Sequence, residues 1–283
     1  MGIVLFDGFA FGMLLFVLSV GLSVTMGLMN FINLAHGAFG MLGGYLAVVA
    51  MRQLGLPFLA ALPFAFVGSA LVAVAFERTL FRRLYRAGEL NQVLFTIGLV
   101  FVASAVATYV FGTVQQVIIM PSWLRGSVEI FGMRLGAYRI FLVVMALAIT
   151  ALLVFGLERT RFGAQIRAAV DNQQVAQGLG LNVDRIFAVT FAVGSGLAGL
   201  GGALAIEVVG LDPSFGFHYL VYVLIVVSVG GLGSITGSFV GAALLGIFDV
   251  AGKYFVPEIG SFLIYLILVA VLLVRPMGLF GKR

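Results

Sequence analysis

The sequence contains no cysteine, which excludes disulfides, thiolate metal sites and cysteine nucleophiles. Its only two histidines, His36 and His218, lie far apart and form no ligand cluster. Charge is scarce. Asp, Glu, Lys and Arg make up 10% of the 283 residues, against roughly 25% in a soluble domain. A soluble chain of this size would still have a surface to solvate, so a larger core cannot explain the deficit. Several motifs are missing too. Gly252-Lys253 is followed by Tyr254 and lacks the upstream glycine of a phosphate-binding loop, so the chain is not expected to hydrolyse ATP itself. There is no potassium-filter-like motif and no nucleophile–base constellation. No Asp or Glu falls near the middle of an apolar run. Glu77, Glu158, Glu207, Asp249 and Glu258 fall at the ends of such runs, where solvated end charges are expected.

What is present is hydrocarbon. Hydrophobic residues make up 62% of the chain, and the mean hydropathy is +1.20. The stretch from Gly8 to Met51 holds no Asp, Glu, Lys or Arg, and a bilayer span needs about 20 mostly apolar residues. The pattern repeats to the C-terminus. It predicts an all-α polytopic integral membrane protein, with 1–283 forming one transmembrane domain. Predicted spans are 9–29, 34–51, 57–76, 92–112, 139–157, 186–206, 216–230, 236–251 and 258–274. That makes nine, in a range of eight to ten, with the seventh and eighth short enough to be broken or re-entrant. Met1 to Asp7 lack the basic stretch of a signal peptide, so the first run reads as a retained span.

The net charge of +5 does not point to nucleic acid, because the basic residues flank apolar runs and serve as topology markers. Arg78, Arg82, Arg83 and Arg86 follow the third span. Arg159, Arg161, Arg167 and Arg185 lie in the loop after the fifth, and Arg275, Lys282 and Arg283 close the sequence. With nine spans all of these fall on one side, predicted cytoplasmic, with the N-terminus outside and the C-terminus inside. The other side takes Arg52, the loop near 113–138, the Glu207–His218 turn and Lys253 to Glu258. The loop with Arg125, Arg134 and Arg139 is basic as well and weakens the contrast.

There are 38 glycines. Gly8/Gly12, Gly40/Gly44, Ser195/Gly199/Ala203 and Gly237/Gly241 are small residues four apart, a spacing that lets helix backbones approach in lipid. Gly194 to Gly202 is the densest case and reads first as tight packing, with a ligand-facing cleft as the alternative. Gly37-Ala38-Phe39 and Gly237-Ser238-Phe239 open two predicted spans alike, a faint echo of a parallel duplication.

Two constellations interrupt the apolar pattern. Asn30, Asn33 and His36 lie at the junction of the first two spans. They either cap helices at the cytoplasmic interface or mark a helix break lining a translocation path. The loop 158–185 is the second. Residues Thr160 to Gln177 read as one short helix with Ile166, Ala169, Val170 and Gln173 on one face, stopped at Gly178 and Gly180. It either rests on lipid or docks into a partner's groove; its small residues favour the groove.

Four blocks together resemble the branched-chain amino-acid permease family of bacterial ABC importers, over nearly the whole chain: Gly27 to Gly37 with Asn-Leu-Ala-His-Gly; Arg161 to Arg185; Gly230-Gly231-Leu232-Gly233-Ser234-Ile235-Thr236-Gly237; and Arg275-Pro276-Met277-Gly278-Leu279-Phe280-Gly281. The chain is more similar to the shorter of the two permease subunits such systems use. The resemblance implies that Asn30, Asn33, His36, Gly37, Gly230, Gly231, Gly233 and Gly237 help form the pathway. It also implies that Arg161, Gly163, Arg167, Ala168, Ala169, Asn172, Ala176, Gly178 and Gly180 form the coupling segment. Implied partners are a second, related permease, two cytoplasmic ATPases that carry the ATP and magnesium, and a periplasmic binding protein. The implied location is the bacterial inner membrane. Many relatives carry an acid after the His-Gly pair; here Ala38 stands in its place. The family also handles amides and urea. A standalone channel or secondary carrier is the alternative outside this family, and a structural anchor a third reading.

Overall fold

The computed structural model describes the whole chain except Asn30, Ile32, Arg86, Phe131, Lys282 and Arg283, and the side chain of Leu28. With no water available in a hydrocarbon layer, a spanning backbone must satisfy its own N–H and C=O groups, and apolar runs of this length do so as helices. The chain forms α1 (Gly2–Met29), α2 (His36–Arg52) and α3 (Phe58–Phe76), which continues through a π-turn (Glu77–Phe81) into α4 (Arg82–Leu84). Next come α5 (Glu89–Phe111), α6 (Ala137–Arg159), α7 (Arg161–Asp171) and α8 (Gln173–Gly178). The rest is α9 (Val183–Val209), α10 (Phe215–Gly230), α11 (Ile235–Phe255), α12 (Pro257–Gly260) and α13 (Leu263–Val274).

Among the described residues, 6 helical runs are long and apolar enough to cross a membrane: α1, Phe58–Leu84, α5, α6, α9 and α11. The other predicted spans became shorter helices: α2 with 17 residues, α10 with 16 and α13 with 12. The stretch 258–274 divides because Pro257 starts a separate turn, α12, before α13 begins. The third span runs longer than predicted, so Arg78, Arg82 and Arg83 extend its helix rather than follow it.

One departure from an all-helical chain lies between α5 and α6. There β1 (Ser127–Ile130) pairs antiparallel with β2 (Met133–Gly136), Ser127 opposite Gly136 and Ile130 opposite Met133. Gly132 supplies the positive φ of +75° at its tip, a conformation glycine adopts without strain. The segment lies outside the apolar helices, where nothing forces the backbone to be helical.

The bundle is organised around α1 and α9, the most buried of the 6 long runs. The glycine pairs explain why. A Cβ on Gly21 would fall 2.1 Å from the carbonyl oxygen of Gly194, one on Gly43 2.1 Å from the Cα of Gly199, and one on Gly246 2.4 Å from the Cα of Gly12. Thus α1 packs backbone-close against α9 and α11, and α2 against α9. Only side-chain-free positions permit such distances, and in lipid van der Waals packing of this kind is what holds helices together. The small-residue spacing read from the sequence therefore marks helix–helix seams.

Contacts define two ends. At the loop end, Phe31 meets Phe81 and Tyr85, Tyr85 meets Phe187, Arg82 pairs with Asp184, and Gly27 meets Gly233. At the hairpin end, Asp7 pairs with Arg139, Arg52 bonds the Gln116 side chain at 2.9 Å, and the Gln116 N–H donates to the Leu211 carbonyl at 2.7 Å.

Candidate functional site

Three features sit on this frame. The first is the junction between α1 and α2. The chain does not turn at the bundle surface here. His36 begins α2 with its Nε2 2.8 Å from the Leu18 carbonyl oxygen, a point about 16 Å along α1 from Met29 at a rise of about 1.5 Å per residue. Residues Phe31 and Asn33 to Ala35 therefore run back into the bundle before α2 starts. Phe31, Asn33 and His36 are all buried, Asn33 at 0% exposure and His36 at 1%. The capping alternative fails for Asn33: the residue before α2 is Ala35, with no side-chain cap, and neither polar atom of the Asn33 side chain has a partner among the described residues. Asn30 lies outside the described residues.

The glycine blocks converge on this junction. Gly27 meets Gly233, and a Cβ on Gly37 would fall 2.1 Å from the Gly216 carbonyl oxygen. Gly230 and Gly237 oppose each other across the α10–α11 turn, where Ser234 Oγ accepts from the Gly237 N–H at 2.9 Å. Gly231 sits at φ +99° against Gly281. The segment after α13 closes this turn from outside: Leu279 and Phe280 donate their N–H groups to the carbonyls of Val229 and Gly230 at 2.8 and 3.1 Å. Three of the sequence blocks are thus one packed unit. The middle of the Glu207–His218 turn also packs inward: Leu211 is fully buried, Phe215 is 3% exposed, and the Pro213 carbonyl accepts from Ser104 Oγ at 2.6 Å.

The second feature is the loop between α6 and α9. The single helix expected there is two. Asn172 takes an extended conformation (φ −155°, ψ 102°) and its Oδ1 accepts from the Val175 N–H at 3.0 Å, so it ends α7 and caps α8. Thr160 caps α7 through the Gly163 N–H at 3.1 Å, and Asn182 caps α9 through Arg185 at 3.0 Å. The expected apolar stripe splits. Ile166 and Ala169 turn inward with Gly163 and Ala176, packing with Val183 and Ile186. Val170 and Gln173 face outward. Arg161, Arg167, Ala168, Asn172, Gly178 and Gly180 are exposed, alongside Val175 and Leu179, the last at 77%. The inward face thus belongs to this chain, and the outward face is what remains for a neighbour. Gly163 is fixed by the sharp α6–α7 turn, because a Cβ would lie 2.2 Å from the Leu157 carbonyl oxygen. Gly178 has open space around it.

The third feature was not found from sequence. A cavity of about 840 Å³ opens at the hairpin end between α1, α6, α10, α11 and α13. Asp7, Arg139, Asp249 and Lys253 line it, together with Phe11, Phe217, Tyr219, Tyr222 and Tyr265. Asp249 is 1% exposed, and one of its oxygens accepts from Lys253 Nζ at 2.7 Å. This corrects the expectation of a solvated end charge, as does Glu77, buried and bonded by the Tyr85 hydroxyl at 3.1 Å. Glu158, Glu207 and Glu258 are exposed as expected. The i, i+4 spacing of Asp249 and Lys253 was the available signal, together with tyrosines on α10.

Comparison with known proteins fits the assembled picture. The family described as branched-chain amino acid transport system / permease component matches residues 4–272. The high-affinity branched-chain amino acid transport system permease protein LivH of Salmonella typhimurium is 28% identical over 98% of this chain and 94% of its own length. BraD of Pseudomonas aeruginosa, of the same description, is 29% identical over 98% and 95%. The probable branched-chain amino acid transport permease protein LivH of Methanocaldococcus jannaschii is 26% identical over 95% and 89%. No solved structure matches the chain. With a match that runs from the first helix into the last, the chain belongs to the branched-chain amino acid transport permease family.

Proposed function

We propose that the chain is the membrane-spanning subunit of an ATP-driven importer, taking branched-chain amino acids from a periplasmic binding protein. The observation that carries this reading is the capped α7–α8 loop, which presents Ala168, Asn172, Val175, Gly178 and Leu179 outward from a base anchored in the bundle. Such a surface suits insertion into the groove of a separate ATPase. Two ATPase subunits, binding ATP and magnesium, and a second, related permease complete the assembly; no catalytic step falls to this chain.

Orientation follows from charge. Arg78, Arg82, Arg83, Arg159, Arg161, Arg167, Arg185 and Arg275 gather at the loop end, against Arg52, Arg125, Arg134, Arg139 and Lys253 elsewhere. The loop end is then cytoplasmic in the bacterial inner membrane, with the N-terminus outside and the C-terminus inside. The mechanical route runs from the exposed face through Ile166 and Ala169 to Val183 and Ile186, the first turns of α9. Because α9 is packed backbone-close on α1 and α2, its displacement reaches the Asn33–His36 segment and the Gly230–Gly237 turn, which act as the gate.

Purification from membranes with the candidate ATPases tests the reading. Ala168→Asp and Gly178→Trp should insert and fold normally and lose solute-stimulated ATP hydrolysis. Normal coupling in both, or transport by the isolated chain in vesicles, counts against it; the latter is the behaviour of a standalone carrier.

A further inference from the structure

The hairpin-end cavity has no part in coupling, and it is built rather than incidental. Ionisable side chains within spans are costly and default to a functional reading. Here two carboxylates and two cations converge. Asp7 pairs with Arg139, and Asp249 with Lys253. In each acid one oxygen is used by the pair, while Oδ1 is buried without a partner among the described residues. The Asp249 side chain is 2% exposed, whereas Arg139 and Lys253 are each 46% exposed. The site therefore holds free acceptors at depth and cations with spare donors nearer the opening. Its formal charge is balanced, which disfavours a lone cation or anion. Around the charges stand Phe11, Tyr219 and Tyr222, with Phe11–Tyr222 centroids at 6.4 Å and Tyr219–Tyr222 at 5.8 Å. The volume lies within the usual range of roughly 300–1,000 Å³ for small-ligand sites.

We infer that this cavity is a receiving site for a zwitterionic α-amino acid with an apolar side chain. The ammonium group donates to the free Oδ1 atoms of Asp249 and Asp7, the carboxylate lies against Lys253 and Arg139, and the side chain packs on the α10 aromatics. The inference rests on the importer reading, which places this end toward the binding protein, opposite the ATPase loop.

The test uses the complete complex in nanodiscs, with labelled leucine as probe. Wild type should bind leucine saturably, with competition by isoleucine and at least tenfold weaker competition by leucinamide and by 4-methylpentanoate, which lack the carboxylate charge and the ammonium respectively. Asp249→Asn should weaken binding at least tenfold. Val250→Trp narrows the cavity without touching its charges and should do the same, which guards against a folding artefact in the first variant; the melting temperature of each is read alongside. An ethanolamine lipid carries the same pair of charges. A lipid found in the cavity by mass spectrometry and not displaced by leucine overturns the inference. So does wild-type leucine binding and uptake in both variants, an outcome that leaves the importer reading standing. A wild-type complex with no uptake of any amino acid overturns both.

Discussion

Gly27 and Gly233 meet backbone to backbone: a Cβ on Gly27 would stand 2.0 Å from the Cα of Gly233. The contact ties the last turn of α1 to the α10–α11 turn, and neither partner has a flexible side chain that can yield. Gly27→Ala is expected to destabilise the purified chain by about 1–3 kcal/mol, the usual range for overpacking. Gly98→Ala is the control, since nothing lies within 4 Å of that site; replacing glycine within a helix there should raise stability slightly. Thermal unfolding in detergent compares the two, and equal midpoints would contradict the close approach.

The His36–Leu18 bond at 2.8 Å pins the re-entrant segment to the middle of α1. A hydrogen bond of this kind contributes about 0.5–1.5 kcal/mol. His36→Gln retains a donor and should keep most uptake activity. His36→Leu removes it and should lower uptake several-fold with assembly intact. Equal uptake by the two variants would show that the bond does not position the segment.

Asn172 divides α7 from α8 and caps the second through the Val175 N–H. Loss of such a cap costs about 1 kcal/mol. In Asn172→Ala the amides of α8 should exchange faster with solvent, and solute-stimulated ATP hydrolysis should fall with them. Unchanged exchange would mean that packing of Ala176 alone holds α8.

Gly163 and Gly178 should separate folding from docking. Gly163→Ala collides with the Leu157 carbonyl oxygen and should lower both the yield of folded protein and coupling. Gly178→Ala meets open space and should leave yield unchanged. Size-exclusion profiles with ATPase assays read both effects.

Arg82 and Asp184 link the end of the α3–α4 run to the start of α9, with 57% and 56% of their side chains exposed. An exposed pair of this type contributes about 0.2–1 kcal/mol. A double-mutant cycle with Arg82→Ala and Asp184→Ala should return a coupling energy in that range and shrink in high salt. A larger, salt-independent value would identify the pair as a structural latch.

Much of the helical layout was legible, because a lipid environment leaves an apolar backbone few alternatives and the long charge-free runs mark where it applies. The helix seams were legible for the same reason: glycines four apart have little other use in lipid. What escaped was set by tertiary packing. Asn33 was open between an interfacial cap and a helix break, and nothing near it in sequence shows that its segment is held inward by His36 bonding to Leu18, a contact between residues far apart in sequence. Ile166 and Val170 shared one face on a helical wheel, yet the helix packs on Val183 and Ile186 along its Ile166–Ala169 edge, which leaves Val170 at the rim of the contact and 37% exposed. Asp249 looked like a solvated terminus because nothing in its neighbourhood reveals that α10 and α13 close over it. The hairpin lay in a segment free of the lipid constraint, where composition alone says little about the backbone.

The clasp formed by Leu279 and Phe280 on Val229 and Gly230 has a consequence for biogenesis. The α10–α11 turn emerges well before its own fastening does, since α11, α12 and α13 must be synthesised first. Until then Gly231 turns at its positive φ without the segment that backs it, and the corner facing Gly27 lacks its outer wall. Maturation of this corner is therefore among the last steps of assembly, and a nascent subunit shortened after α13 would reach the bilayer with its helices in place but this corner unlatched.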